Sequence, residues 1–349
     1  MSHVSTDALI QHLGLSAPLL LAPMAGVADA TLAIAVSRAG GLGAIPAATL
    51  APDQIRHEVG RYRGAVSTPL NLNFFAHKDV PPSSDAIARW HSALAPLHAE
   101  LGLELLGAVQ AGRRPFDEET ATLVDELRPE VVSFHFGLPE ERLLERVRAT
   151  GAVILSTATT VAEARWLAER GVDAVIAQGW EAGGHRGMFL QTDVDAQVGL
   201  ISLVPQIVDA VAVPVIAAGG IGDARGMRAA LALGASAVQV GTAFLRSPEA
   251  LTPPFHRQAL ARASDTDTRL TNVFTGRPAR GLLNTLVQRI GPMSRDALAF
   301  PYAGSTLSAL RDLDKQQGTG HYSSLWAGQS APLAGADSAF AIARRIAAG

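Results

Sequence analysis

Pro214-Val215-Ile216-Ala217-Ala218-Gly219-Gly220-Ile221-Gly222 and, one unit later, Val238-Gln239-Val240-Gly241-Thr242 decide how this chain folds. Each reads as a short apolar strand that ends in glycine ahead of a helix. Glycine lets backbone approach a phosphate closely, and a helix N-terminus points N–H groups at an anion. A (β/α)8 barrel often places a phosphate in this way, after its seventh and eighth strands. Ordinary strand-to-helix turns are the plain alternative; two of them in register argue against it.

Working outward, the same rhythm covers most of the chain. Strand candidates are Pro18–Ala22, Leu42–Ala47, Leu70–Phe75, Val131–Phe136, Val153–Thr157, Ala174–Gln178, Val215–Ala218 and Ala237–Val240. Amphipathic segments such as Thr31–Ala39, Ala51–Tyr62, Val161–Arg170 and Ala224–Leu233 lie between them. The strands are unbroken apolar runs, as in parallel strands covered on both faces. A doubly wound open sheet would share this periodicity, and the paired phosphate turns favour the α/β TIM barrel. The rhythm breaks in residues 81–128 and after Arg246. The expected organisation is a barrel from 1–80 and 129–250, with 81–128 and 251–349 forming a mainly helical lobe over its mouth. Gly40-Gly41-Leu42-Gly43 follows a helix and precedes a strand, the reverse of a dinucleotide fingerprint, so it reads as a cap and turn.

Composition agrees with one large enzyme domain. The chain has 349 residues, 48% hydrophobic and 17% charged, with a net charge of −3. No basic field exists to attract nucleic acid or an anionic membrane. There are no cysteines, which excludes disulfides, thiolate metal sites and cysteine nucleophiles. Met1–Leu15 carries no lysine or arginine, and no stretch reaches the roughly 18 apolar residues of a membrane span. The expectation is a cytoplasmic protein, with a homo-oligomer possible.

Candidate site residues gather at the ends of the strands. Pro23-Met24-Ala25-Gly26 offers backbone groups to a flat ring. Asn73 carries both a donor and an acceptor, which suits a heteroaromatic edge. Gln178 ends the sixth strand and opens a loop with Gly183, Gly184 and His185, a histidine able to work near neutral pH. His135 ends the fourth strand and can line the same cavity, whereas His57, His91, His98 and His256 fall in helical or surface-like stretches. No HExxH, carboxylate cluster or GxSxG pattern points to metal or serine chemistry.

Taken together, Leu21–Gly26, Asn71–Phe75, Val132–Gly137, Gln178–Gly187, the Gly219 and Gly241 turns and Leu325-Trp326-Ala327-Gly328-Gln329 resemble the nitronate monooxygenases of class I. The resemblance implies non-covalent FMN, no metal, and oxidation of alkyl nitronates by O₂ to a carbonyl compound and nitrite. It implies FMN contacts at Pro23, Met24, Ala25, Asn73, Gln178, Gly183, Gly184, Gly219, Gly220, Gln239, Gly241 and Thr242. It implies catalytic roles for His185 and His135, and a substrate pocket that includes Tyr302 and Ser305. One segment, Phe300-Pro301-Tyr302-Ala303-Gly304-Ser305-Thr306-Leu307, departs from the family pattern. Phe300 lacks a hydroxyl, and no pocket lysine is evident near it. The competing readings are an FMN-dependent NAD(P)H reductase of a quinone or enoyl thioester, and a non-redox phosphate-binding isomerase or aldolase. The latter lacks a Schiff-base candidate, because Lys78 and Lys315 are the only lysines and neither ends a predicted strand.

Overall fold

A computed structural model describes residues 7–105 and 109–349. The strands are β1 (Leu19–Leu21), β2 (Gly43–Ile45), β3 (Leu70–Phe75), β4 (Val131–His135), β5 (Val153–Ala158), β6 (Ala174–Gln178), β7 (Gly184–His185), β8 (Val215–Ala218), β9 (Ala237–Val240), β10 (Thr268–Thr271) and β11 (Ala279–Leu282). Eight of them form one sheet in the order β1-β9-β8-β6-β5-β4-β3-β2, every neighbour parallel. A parallel bridge from Leu20 to Leu42 joins the two ends. Leu42 N–H donates to Leu19 O and Leu21 N–H to Leu42 O, both at 2.9 Å, so the sheet closes into a TIM barrel.

The helices are α1 (Asp7–His12), α2 (Ala30–Arg38), α3 (Pro52–Ala65), α4 (Ser84–Leu101), α5 (Glu118–Leu127), α6 (Glu141–Ala149), α7 (Val161–Glu169), α8 (Leu200–Val208), α9 (Ala224–Ala232), α10 (Pro254–Arg262), α11 (Thr285–Ile290), α12 (Ser308–Gln317) and α13 (Ala339–Ala347). Polar caps start many of them: Asp29, Ser83, Asp117, Thr160 and Asp223 each accept backbone N–H groups of the first turn.

The unbroken apolar strands hide a period of two. Leu19 and Leu21 face the helices, while Leu20 points into the barrel with Leu155, Ile176 and Ile216. Leu9 and Leu13, at and just beyond α1, join that inner cluster and plug the N-terminal end. Both faces of most strands are therefore largely apolar, which is why the sequence shows runs without alternation; β3 is the exception, with Leu70, Leu72 and Phe74 toward the helices and Asn71 and Asn73 on the other face.

Two helices of the expected lobe belong to the helical ring. α5 packs on α3 and α6, and α13, at the far end of the chain, packs on α2, α9 and β1. Much of the rest forms a second core around Trp90, Leu94, Phe274, Leu307 and Leu310, and Leu260, Leu282, Leu325 and Ala331 form a smaller one with Leu245. It is less purely helical than its sequence suggests. β10 and β11 pair antiparallel, and β11 pairs with β7 from the barrel's sixth loop. Thr268-Arg269-Leu270-Thr271 and Ala279-Arg280-Gly281-Leu282 are short and carry arginines among few apolar residues, so they lack a strand period long enough to read.

Candidate active site

Ala22–Val27, Asn73, His135, Gln178 and the 181–185 loop, Gly219–Ile221 and Gln239–Thr242 converge on one cavity of about 690 Å³. That volume lies in the usual range for cofactor and small-molecule sites, about 300–1,000 Å³. All the expected cofactor residues line it: Pro23, Met24, Ala25, Asn73, Gln178, Gly183, Gly184, Gly219, Gly220, Gln239, Gly241 and Thr242, with His135 and His185.

The two glycine turns sit on the adjacent strands β8 and β9. Gly219 (φ +113°) and Gly220 (φ +70°) occupy the left-handed region. A Cβ on Gly219 would stand 2.9 Å from the Ala182 nitrogen. One part of the sequence expectation changes here. The N-terminus of α9 is already met by its own Asp223, whose carboxylate accepts Arg225 N–H at 2.9 Å. The Gly219–Gly220 turn and Thr242, at the start of the short 3₁₀ turn Thr242–Phe244, border the cavity, and Asp223 does not.

The C-terminal motif closes over these turns. Gly328 N–H donates to Thr242 Oγ1 at 3.0 Å, Gln329 N–H to Glu181 O at 3.0 Å, and Ser330 Oγ to Gly220 O at 2.6 Å. Leu325–Gln329 thus ties the glycine turns to the histidine loop, and Trp326 packs on His185 with ring centroids 5.5 Å apart.

His185 is held from several sides. Its strand β7 pairs with β11, and its Nε2 lies 2.9 Å from Thr275 Oγ1. The Gln178 carboxamide clamps the backbone on both flanks, donating to His185 O at 2.9 Å and accepting Gly187 N–H at 2.8 Å. The fully buried Arg186 braces the loop from below, donating to Gly179 O at 2.5 Å, Gln178 O at 2.9 Å and Gln197 Oε1 at 2.7 Å. Burial lowers the Arg186 pKa to about 10.

His135 has a fixed tautomer. Its Nε2 lies 3.2 Å from the His185 carbonyl oxygen, which only accepts, so Nε2 carries the hydrogen and Nδ1 accepts from Thr157 Oγ1 at 3.0 Å. Burial lowers its pKa to about 4 and that of His185 well below the ordinary histidine value, with Arg113 and Arg277 pushing His185 further down. Both imidazoles are therefore neutral near pH 7. Around them stand the rings of Phe75, Phe136 and Phe300, at centroid distances from His185 of 6.5, 6.0 and 5.6 Å.

Two expected pocket residues do not reach this cavity. Tyr302 is buried in the second core and its hydroxyl donates to Asp79 at 2.6 Å. Ser305 donates to Tyr302 O at 2.9 Å and accepts Gln110 N–H at 3.3 Å. Their place is taken by Trp326 of the C-terminal motif and by residues without a readable sequence signal: Arg113 and Arg311 line the cavity, and so does Lys315, the lysine that the sequence did not connect to the pocket. His256, from a stretch that reads as a plain helix, also reaches the wall. Asp314, one position before Lys315, is fully buried and accepts His321 N–H and Tyr322 N–H, which sets the turn leading to Ser323, Ser324 and Trp326.

A closed barrel with paired glycine turns on adjacent strands and neutral histidines at the same mouth defines an α/β-barrel enzyme with a cofactor-sized cavity. The family model described as nitronate monooxygenase matches residues 6–342, and the chain belongs to that family and is an oxidoreductase. It is 40% identical over 332 residues to a nitronate monooxygenase of Pseudomonas aeruginosa, covering 94% of this chain and 95% of the relative. Among solved structures it is similar to a nitroalkane oxidase from Streptomyces ansochromogenes, with a TM-score of 0.89, 38% identity and 98% and 97% of the two chains covered. FabK from Thermotoga maritima matches with a TM-score of 0.70, 28% identity and 97% and 94% coverage.

Proposed function

We propose that this enzyme oxidises alkyl nitronates with O₂ to a carbonyl compound and nitrite, using FMN and no metal. The observation that carries the reading is the pairing of a neutral, aromatic-walled His185 with the glycine turns of β8 and β9 in one cavity. The residues fit FMN. Gly219, Gly220, Gly241 and Thr242 would hold its phosphate, where a Cβ on Gly219 or Gly241 would meet Ala182, Ala22 or Met24. Gln239 lines the cavity with a buried Oε1 that has no partner among the described residues, ready for a ligand donor. Pro23, Met24, Ala25, Asn73, Gln178, Gly183 and Gly184 would surround the ring system. Bound FMN supplies the electron acceptor for the nitronate and the route from it to O₂.

The chain itself positions the substrate and moves a proton. Thr275 Oγ1 stands 2.9 Å from His185 Nε2 and holds the ring in place. The neutral His185 imidazole is the base that takes a proton from the α-carbon of a neutral nitroalkane. A preformed nitronate needs no such step. Phe75 and Trp326, which line the cavity, would help keep water from the reacting carbon. Among the described residues no helix is long and apolar enough to cross a membrane.

Anaerobic mixing tests the choice of reductant. A nitronate should bleach the flavin absorbance of the purified protein, and NADH should not. Fast bleaching by NADH with none by nitronates would move the assignment to an NAD(P)H-dependent reductase.

A further inference from the structure

The cavity holds more positive charge than the chain neutralises. Besides histidines, its charged lining residues are Arg113, Glu181, Arg311 and Lys315. Glu181 commits both carboxylate oxygens to Leu200 N–H at 3.0 Å, and Lys315 pairs with Asp312 at 2.8 Å. The two arginines are left over. The charge that acts on Arg113 is Arg311, and it repels. The carboxylate near Arg311 is that same Asp312, already bound to Lys315. Arg113 Nε is buried and has no partner among the described residues.

Arg113 also stands beside the chemistry. Its guanidinium carbon lies 5.9 Å from the Phe300 ring centroid, and that ring lies 5.6 Å from the His185 ring. Two partly desolvated cations brought together without a counter-ion raise the free energy of the empty cavity, and an anion between them relieves it. A guanidinium also offers a planar fork of donors that matches two oxygens on one atom.

We propose that Arg113, backed by Arg311, is the specificity-determining residue of this cavity: its guanidinium holds the O–N–O end of the substrate and so selects nitronate anions over neutral nitroalkanes. This rests on the nitronate reading above. The two substrate forms then use Arg113 differently. A nitronate already bears the charge and gains the contact on binding. A neutral nitroalkane gains it only as its α-proton passes to His185 and the electron pair moves onto the nitro oxygens. Loss of Arg113 thus weakens binding of the first and slows the proton transfer of the second.

The test is steady-state kinetics of Arg113→Met, Arg113→Lys and Arg311→Met on ethyl nitronate and on nitroethane. For Arg113→Met, KM for ethyl nitronate should rise roughly ten- to hundred-fold with kcat nearly unchanged, about 1.4–2.8 kcal/mol. For nitroethane kcat should fall while KM stays. Arg113→Lys should recover part of the nitronate affinity, and Arg311→Met should lose less than Arg113→Met. An equal change on both substrates, or none in protein that retains its fold and cofactor, overturns the proposal. A calorimetric titration with nitrate, a planar anion of similar shape, separates this proposal from the reaction itself. Nitrate binding that Arg113→Met abolishes supports the subsite even if no nitronate is turned over, and nitrate binding that the substitution leaves unchanged overturns it.

Discussion

Gly183→Ala probes the joint between the histidine loop and the C-terminal motif. Gly183 does not have a positive φ, so the backbone tolerates alanine, and the effect is purely steric. The added Cβ would fall 2.5 Å from Gly328 N, 2.6 Å from Ala327 C and 3.0 Å from Ala327 Cα. Comfortable carbon contacts lie near 3.5–4.0 Å, so one segment must move by about 1 Å. The obstacle is backbone, which has no rotamer to yield. Movement endangers the bonds from Gly328 N–H to Thr242 Oγ1 and from Gln329 N–H to Glu181 O. At about 0.5–1.5 kcal/mol each, with about 1–3 kcal/mol for overpacking, the cost is about 2–6 kcal/mol. Gly184→Ala is the matched control. It has φ +72° with nothing within 4 Å of the new Cβ, so it bears only left-handed strain of about 1–2 kcal/mol. Thermal unfolding and flavin affinity should both fall much further in Gly183→Ala than in Gly184→Ala. A Gly183→Ala protein with native stability and native flavin affinity, or a reversed order of the two variants, would refute the packing argument.

His185→Asn should retain flavin and slow neutral nitroalkane more than preformed nitronate; equal losses in stopped-flow rates on both would remove the base role. His77 and His256, 5% and 4% exposed, have pKa values lowered by burial to about 4, against about 6.5 for an ordinary histidine. Below pH 6.5 the unfolded chain therefore takes up protons that the fold refuses. Their neutral burial costs nothing above about pH 6.5, and stability is lost as pH falls from 6.5 toward 4, on the order of 3 kcal/mol per histidine. Urea unfolding of His256→Leu should show a flatter decline than wild type over that window. Parallel curves would mean that His256 does not titrate as described.

The barrel was legible because most strands are largely apolar runs closed by a glycine or polar turn. Leu70–Phe75, Ala174–Gln178, Val215–Ala218 and Ala237–Val240 emerge with the bounds that their sequence pattern marks. The residues that gather at the mouth were legible for the same reason, since strand ends on a barrel share one face. What escaped comes from the added segments. Arg113, Thr275 and Arg277 reach the histidines, and Arg311 the cavity, through long-range packing of loops and of α12, and no local period marks them. Gln178 shows the limit of reading a residue by its position. It ends a strand beside the cavity, yet both ends of its carboxamide hold the His185 loop. Tyr302 and Ser305 lie in the segment that the family pattern singles out, but Asp79 and Gln110 draw them into the second core.

The most direct test of the central claim is nitrite release from an alkyl nitronate by the purified, flavin-loaded protein in air, with no NAD(P)H present. The account predicts nitrite in proportion to nitronate consumed, with O₂ uptake. A flavin-replete, folded protein that releases no nitrite from any of several nitronates would contradict it.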